Sequence, residues 1–258
     1  MGYSRLELNG RVAVVIGGTS GIGEVIALGL AQAGAYVIPT SRRLDMVEAA
    51  ARKIENLGQR TLCVTSDVTD RVSLERCLES AVKAFGKVDI LVNAAGRTKR
   101  TPTLEVQESD WNEILETNLT GALRAGQVFG RHMIERGYGR MINIASLSSF
   151  LGLYEVAAYG ASKAGLASLT RTMAIEWACR GVCVNAIMPG VFRTAMNQEL
   201  LDGTPRGQEF LMRTPAKRFG NLEELVGAAI FLASEAASFV TGTILPVDGG
   251  FLASGVNQ

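Results

Sequence analysis

Short apolar runs rich in β-branched residues alternate with longer segments whose apolar residues recur at helical spacing. This alternation constrains the fold more than any other feature of the chain. Val12–Ile16 is the first such run, and Gly17-Gly18 closes it. Ile22–Ala33 follows with helical spacing and stops at Gly34. Further strands are expected at Tyr36–Thr40, Thr61–Thr65, Val88–Val92, Arg140–Ile144, Val182–Ile187 and Thr243–Pro246. Further helices are expected at Leu44–Leu57, Arg71–Phe85, Asp110–Arg136, Ala157–Arg180 and Glu223–Ser234.

Strands that alternate with helices predict a parallel sheet. Strands apolar almost throughout predict that both of its faces are covered. The expected class is therefore α/β: a Rossmann-type, doubly wound sheet of seven parallel strands, with helices on both faces. No linker or shift in composition divides the chain, so residues 1–258 are expected to form one domain. The alternation breaks between Val191 and Gly220, a stretch with Asp202, Gly203, Pro205, Gly207 and Pro215. That stretch, at about 191–220, is expected to be a lid over a site at the carboxyl ends of the strands.

Composition excludes several function classes. With 47% apolar and 20% charged residues, the chain can bury a core and is not of disordered type. A formal net charge of +1 offers no surplus of cations for nucleic acid or an anionic membrane. The four cysteines, Cys63, Cys77, Cys179 and Cys183, fit no zinc spacing, and His132 is the single histidine. Cys63 and Cys183 lie in apolar runs and are expected in the core. Met1–Gly10 lacks the apolar stretch of a secretion signal, and no run reaches the roughly 18 apolar residues of a membrane span. A cytoplasmic protein with reduced thiols is expected.

The first strand runs into Gly17-Gly18-Thr19-Ser20-Gly21-Ile22-Gly23. Glycines there let the backbone turn tightly and approach a pyrophosphate, and the following helix offers it unpaired N–H groups. Its spacing, G-x-x-x-G-x-G, differs from the usual dinucleotide fingerprint. NAD enzymes place an acidic residue about 20 residues beyond such a loop. Here the second strand ends in Thr40-Ser41-Arg42-Arg43, with no carboxylate before Asp45. Two guanidinium groups beside a hydroxyl suit a 2′-phosphate, so NADP is expected, with NAD possible.

Tyr159 and Lys163 stand four apart at the start of a helix and so share a face. A phenol is a poor base at neutral pH, and a neighbouring ammonium favours its ionised form. Such a pair can give a proton to a carbonyl oxygen or take one from an alcohol. Ser146 closes the strand Arg140–Ala145, and a loop can bring its hydroxyl beside the phenol.

On these residues the chain resembles the short-chain dehydrogenase/reductase family, from about Leu8 to Phe251. The glycine loop matches at Gly17, Gly21 and Gly23, with Thr19, Ser20 and Ile22 between them. Asn93-Ala94-Ala95-Gly96 matches the segment that borders the cofactor, and Asp67-Val68 the adenine contact. Pro189, Gly190, Phe192 and Thr194 match the segment that binds the nicotinamide carboxamide. Asp248-Gly249-Gly250 matches the C-terminal signature. The resemblance implies Tyr159 as general acid/base and Lys163 as the residue that lowers its pKa and binds the nicotinamide ribose. It implies Ser146 on the substrate oxygen and Asn118 holding a water in a proton relay, with no metal. Ile16, Ala94 and Ser20 depart from the family pattern, which often has Thr, Asn and, in NADP-dependent members, a basic residue there.

Two stretches, Arg136–Arg140 and Arg213–Gly220, resemble gluconate 5-dehydrogenases and related sugar-acid dehydrogenases. A small-molecule sugar acid needs a cation for its carboxylate, and Arg97, Lys99, Arg193 and Asn197 are candidate contacts. The alternative substrate is a 3-oxoacyl thioester on an acyl carrier protein. A cofactor-binding regulatory protein without turnover is the alternative of another class. The resemblance also implies a homotetramer built through the two long helices, the last strand and the C-terminal segment.

Overall fold

The computed structural model describes residues 4–193 and 198–255. Six parallel strands form one sheet: β1 (Val12–Ile16), β2 (Tyr36–Thr40), β3 (Ile90–Asn93), β4 (Gly139–Ile144), β5 (Val182–Pro189) and β6 (Ile244–Val247). Their order across the sheet is β2-β1-β3-β4-β5-β6, with β6 joined to β5 through Met188 opposite Pro246. The chain winds outward from β1 to β2, then returns past β1 to β3. The order therefore reverses between β1 and β3, and a crevice opens there at the carboxyl ends of the strands.

The seventh strand expected at Thr61–Thr65 is absent, and Pro39 explains why. The Val37 N–H donates to the Arg60 carbonyl at 3.2 Å, so alternate residues of β2 face segment 60–66. Residue 39 has that same facing, and a proline has no N–H for a ladder. Side chains take over: the Thr61 hydroxyl donates to the Val37 carbonyl at 2.6 Å, and the Thr40 hydroxyl to the Val64 carbonyl at 2.7 Å. The segment lies against the edge without joining the sheet. Cys63, expected in the core, is consequently exposed, whereas Cys183 in β5 is buried.

Helices cover both faces. Alternation along β1 sends Ala13 and Val15 to one face and Val12, Val14 and Ile16 to the other. On the first face lie α1 (Gly21–Gln32) and α9 (Val226–Ala233), burying Ile26, Leu30, Ala229 and Leu232. On the second, α3 (Arg71–Phe85), α5 (Gly121–Arg136) and α6 (Ala157–Trp177) bury Leu74, Phe129 and Met173. The helix α2 (Leu44–Asn56) adds Ile54 to the first face. The long helix expected from Asp110 is interrupted: α4 (Glu108–Leu115) meets α5 through a wide turn, Glu116–Thr120, closed by the Gly121 N–H on the Glu116 carbonyl. Segment 191–220 holds two short helices, α7 (Gln198–Leu201) and α8 (Pro205–Arg213).

Phe129 is fully buried on the second face. Phe129→Ala should lower unfolding free energy by about 3–5 kcal/mol through lost burial and the cavity left behind. Urea unfolding of both proteins measures it, and a loss under about 1 kcal/mol would mean that this helix layer is loosely packed.

Candidate active site

The two loops that flank the crevice meet backbone to backbone. Gly17 has φ +76°, and a Cβ there would stand 2.6 Å from the Ala95 amide nitrogen. Gly23 backs onto the Gly17 carbonyl so closely that a side chain would displace it. Gly17, Gly21 and Gly23 are thus required by contact and conformation. Thr19 is buried, Ile22 is half-buried, and Ser20 is exposed at the start of α1 with no capping bond from its side chain.

At the end of β2, the buried Ser41 hydroxyl has no hydrogen-bond partner. Arg42 and Arg43 beside it are exposed, and among the described residues neither pairs with a carboxylate. Asn93 has a second orphaned atom, its buried side-chain carbonyl, at the end of β3. Buried polar atoms are normally satisfied, so such orphans are the groups a ligand would complete. Asp67 accepts from the Thr69 amide at 2.9 Å and hydroxyl at 2.8 Å, which fixes the turn carrying Val68. A small cavity lies between Val68, Asn93, Ala95 and Asn118. Ala94 is half-buried beside it, against Gly23. Together these residues fit a dinucleotide carrying a 2′-phosphate.

On the other side, Lys163 is buried and donates from Nζ to the Ile144 carbonyl at 2.6 Å. Its Nζ lies 5.7 Å from the centre of the Tyr159 ring. A Cβ on Gly96 would sit 3.5 Å from Asn118 Oδ1 and 3.7 Å from Lys163 Nζ, so both residues converge on Gly96. Burial drives the Lys163 ammonium from its ordinary 10.5 down to about 8. Burial also raises the Tyr159 phenol, while a hydrogen bond with Ser146 works the other way. Desolvation outweighs the Ser146 bond. Ser146 caps the turn Leu147–Ser149, where it accepts from the Ser148 amide at 3.2 Å.

The Asn118 side chain uses both its N–H donors and accepts one bond. It accepts from the Arg97 amide at 2.8 Å and donates to the Arg97 carbonyl at 2.9 Å and the Ser162 hydroxyl at 3.0 Å. It clamps the backbone just beyond Gly96. Sequence reasoning missed three supports. Ser162 donates to the Tyr159 carbonyl at 2.7 Å, and Ser149 to the Lys163 carbonyl at 2.9 Å. Thr170 ends a buried chain in which Asn93 donates to Asn143 at 2.8 Å and Asn143 to Thr170 at 2.9 Å. Thr170 stands two turns beyond Lys163 on the same helix face, the one signal the sequence offered.

Pro189 ends β5, and a Cβ on Gly190 would strike Asp248. Phe192 is buried against Gly220. Thr194 and Asn197 lie outside the described residues. The expected carboxylate-binding cations are already occupied: Arg97 pairs with Glu113, Lys99 with Asp110 at 2.6 Å, and Arg193 with Asp202 at 3.0 Å. Arg136–Arg140 is not at the crevice. It leads into the amino end of β4, where the Tyr138 ring lies between Arg11 at 4.0 Å and Arg140 at 4.6 Å.

A doubly wound sheet with a phosphate-type loop at its switch point and a Tyr–Lys–Ser group across the crevice defines a dinucleotide-dependent oxidoreductase. The family model described as enoyl-(acyl carrier protein) reductase matches residues 17–252. The chain is 38% identical to a gluconate 5-dehydrogenase of Gluconobacter oxydans, over 96% of its own length and 97% of that protein's. It is 42% identical to a 2-dehydro-3-deoxy-D-gluconate 5-dehydrogenase of Bacillus subtilis, over 98% and 99%. A crystal structure of a gluconate 5-dehydrogenase from Burkholderia cenocepacia with NADP and tartrate superposes with a TM-score of 0.94 at 37% identity, covering 98% of this chain and 99% of that one. The chain belongs to the short-chain dehydrogenase/reductase family.

The depressed lysine makes stability depend on pH. Between about pH 8 and 10.5 the unfolded chain holds a proton on Lys163 that the folded one has lost. Unfolding free energy should therefore rise with pH across this window, by about 3 kcal/mol in full. Urea unfolding of the unliganded protein and of Lys163→Met, from pH 7.5 to 10.5, isolates this contribution. An unchanging difference between the two would mean that the ammonium is not desolvated.

Proposed function

We propose that this protein is an NADP(H)-dependent oxidoreductase that interconverts a secondary alcohol and a ketone on a sugar acid such as gluconate and 5-ketogluconate. The observation that carries the reading is the convergence of Lys163, Asn118 and Gly96 beside Tyr159. Full-length identity to sugar-acid dehydrogenases gives the substrate class.

The bound cofactor supplies the acceptor or donor of the hydride at its nicotinamide. Gly17, Thr19, Ser20, Gly21, Ile22 and Gly23 would hold its pyrophosphate. Ser41, Arg42 and Arg43 would hold the 2′-phosphate, and Asp67 and Val68 the adenine. Asn93, Ala94, Gly96, Pro189, Gly190, Phe192 and Thr194 would border the nicotinamide half, with Tyr159 and Lys163 on its ribose. Burial keeps the unliganded Tyr159 phenol protonated, which is the form that gives a proton to a ketone oxygen. In the alcohol-oxidising direction the phenolate takes the hydroxyl proton, and the Ser146 bond favours that form. Lys163 brings a positive charge that is itself easily discharged. Asn118 acts by fixing the backbone at Arg97.

Segment 191–220 is read as a substrate lid on the single domain. Exposed Trp111 on α4 and Ile175 on α6 support a homotetramer built through these helices. No helix among the described residues is long and apolar enough to cross a membrane, and a near-neutral charge gives nucleic acid no purchase, so a cytoplasmic location is proposed.

Initial rates decide the substrate: NADP and NAD against gluconate and related acids, NADPH and NADH against a 3-oxoacyl thioester. NADP-linked oxidation of the acids is expected, and preference for the thioester would overturn the substrate reading. Tyr159→Phe should abolish turnover while NADPH still binds, and activity within about tenfold of wild type, a barrier change of some 1.4 kcal/mol, would refute its role. Arg42→Ala should weaken NADPH much more than NADH in a fluorescence titration, and equal losses would remove it from the 2′-phosphate.

A further inference from the structure

We propose that Arg206, in the first turn of α8, binds the carboxylate of the substrate and so selects acids over neutral polyols. This rests on the sugar-acid reading above. Three segments meet at this point. Arg100 follows Gly96 by one short stretch of the β3–α4 loop, and Glu155 precedes Tyr159 in the loop that enters α6. Their side chains pair at 2.5 Å, and the Glu155 backbone is held at φ +65°, a left-handed conformation costly for a side chain with a Cβ. On α8, half-buried Arg206 lies within electrostatic reach of Arg100, Glu155 and Glu209, with its guanidinium 5.5 Å from the centre of the Phe210 ring. Phe210 in turn packs on Phe251, 6.1 Å between ring centres, which anchors α8 to the C-terminal segment.

The charges at this mouth do not cancel. Glu155 pairs with Arg100 and Glu209 with Arg213 at 2.9 Å, and both act on Arg206 only from beyond ion-pair distance. Among the described residues no carboxylate stands at ion-pair distance from Arg206. Arg97, Lys99 and Arg193 each have an acidic partner of their own. Arg206 is therefore the guanidinium of this region with no ion-paired carboxylate among the described residues, and it stands on α8 rather than beside Tyr159. In gluconate the carboxylate is likewise at the far end from the carbon that reacts. A planar guanidinium already braced on an aromatic ring loses little freedom when it takes a carboxylate in a fork of two hydrogen bonds.

The test is steady-state kinetics of the full-length enzyme with NADP and gluconate, for wild type, Arg206→Gln and Arg206→Lys. Arg206→Gln should raise KM for gluconate about tenfold to a hundredfold, with kcat changed less than about threefold and KM for NADP unchanged. Arg206→Lys should recover part of the loss, because it restores the charge without the fork. An unchanged KM for gluconate in Arg206→Gln would overturn the proposal. So would a fall in kcat with KM unmoved, which would make Arg206 a support of α8 only. Failure of the underlying reading shows separately, in wild type, as no turnover of any sugar acid.

Discussion

The bond from Lys163 Nζ to the Ile144 carbonyl is the constraint on which the site depends. An ammonium buried this deeply is costly, and a short charge-assisted bond offsets only part of the cost. The expense is visible in how easily the lysine gives up its proton. What the bond secures is registry: it pins the first turns of α6 to the carboxyl end of β4. Ser149 ties the same turn to the loop after β4, and Asn118 reaches Ser162 from the wide turn between α4 and α5. Tyr159 is thereby positioned from three directions.

The floor of the crevice and its rim are built on different physics. The floor is backbone against backbone, with Gly17, Gly23 and Ala95 in contact and an Asn93–Asn143–Thr170 chain linking sheet to helix. Such contacts have one arrangement and no slack. The rim is made of charged side chains on loops and on α8, mostly in exposed pairs that are individually weak. A rigid floor suits a reaction that tolerates little displacement of its reacting atoms. A rim of exchangeable pairs suits the entry and exit of a polar molecule.

Much of this was legible in the sequence. The apolar runs and helical patterns located the strands β1 and β2 and the helix α3 to the residue and most other elements to within a few positions, but gave α4 and α5 as one helix and did not give α7 or α8. Local chemistry singled out the glycine loop, Tyr159, Lys163 and Ser146 along the chain. What failed were properties that depend on a distant partner. Segment 61–65 has a strand's composition, and Pro39, twenty-odd residues earlier, denies it a ladder. Arg97, Lys99 and Arg193 look free along the chain, yet each meets an acid that the fold brings to it. The wide turn at Glu116–Thr120 leaves the helical pattern nearly intact, so nothing in the residues announces it. The left-handed glutamate at position 155 is equally silent.

The two outer strands share a device. β2 carries Pro39 and β6 carries Pro246, each next to the last residue of its strand. Thr243 and Val247 accept bonds from the β5 side, so residue 246 faces away from the sheet, as residue 39 faces away from β1. Each border thus lacks a donor where an incoming chain would need one. Strand addition at either end would go without a ladder bond at that point, which opposes edge-to-edge aggregation. A copy of the molecule that docks along β6 relies on side chains there, with complementarity of shape in place of an unbroken ladder.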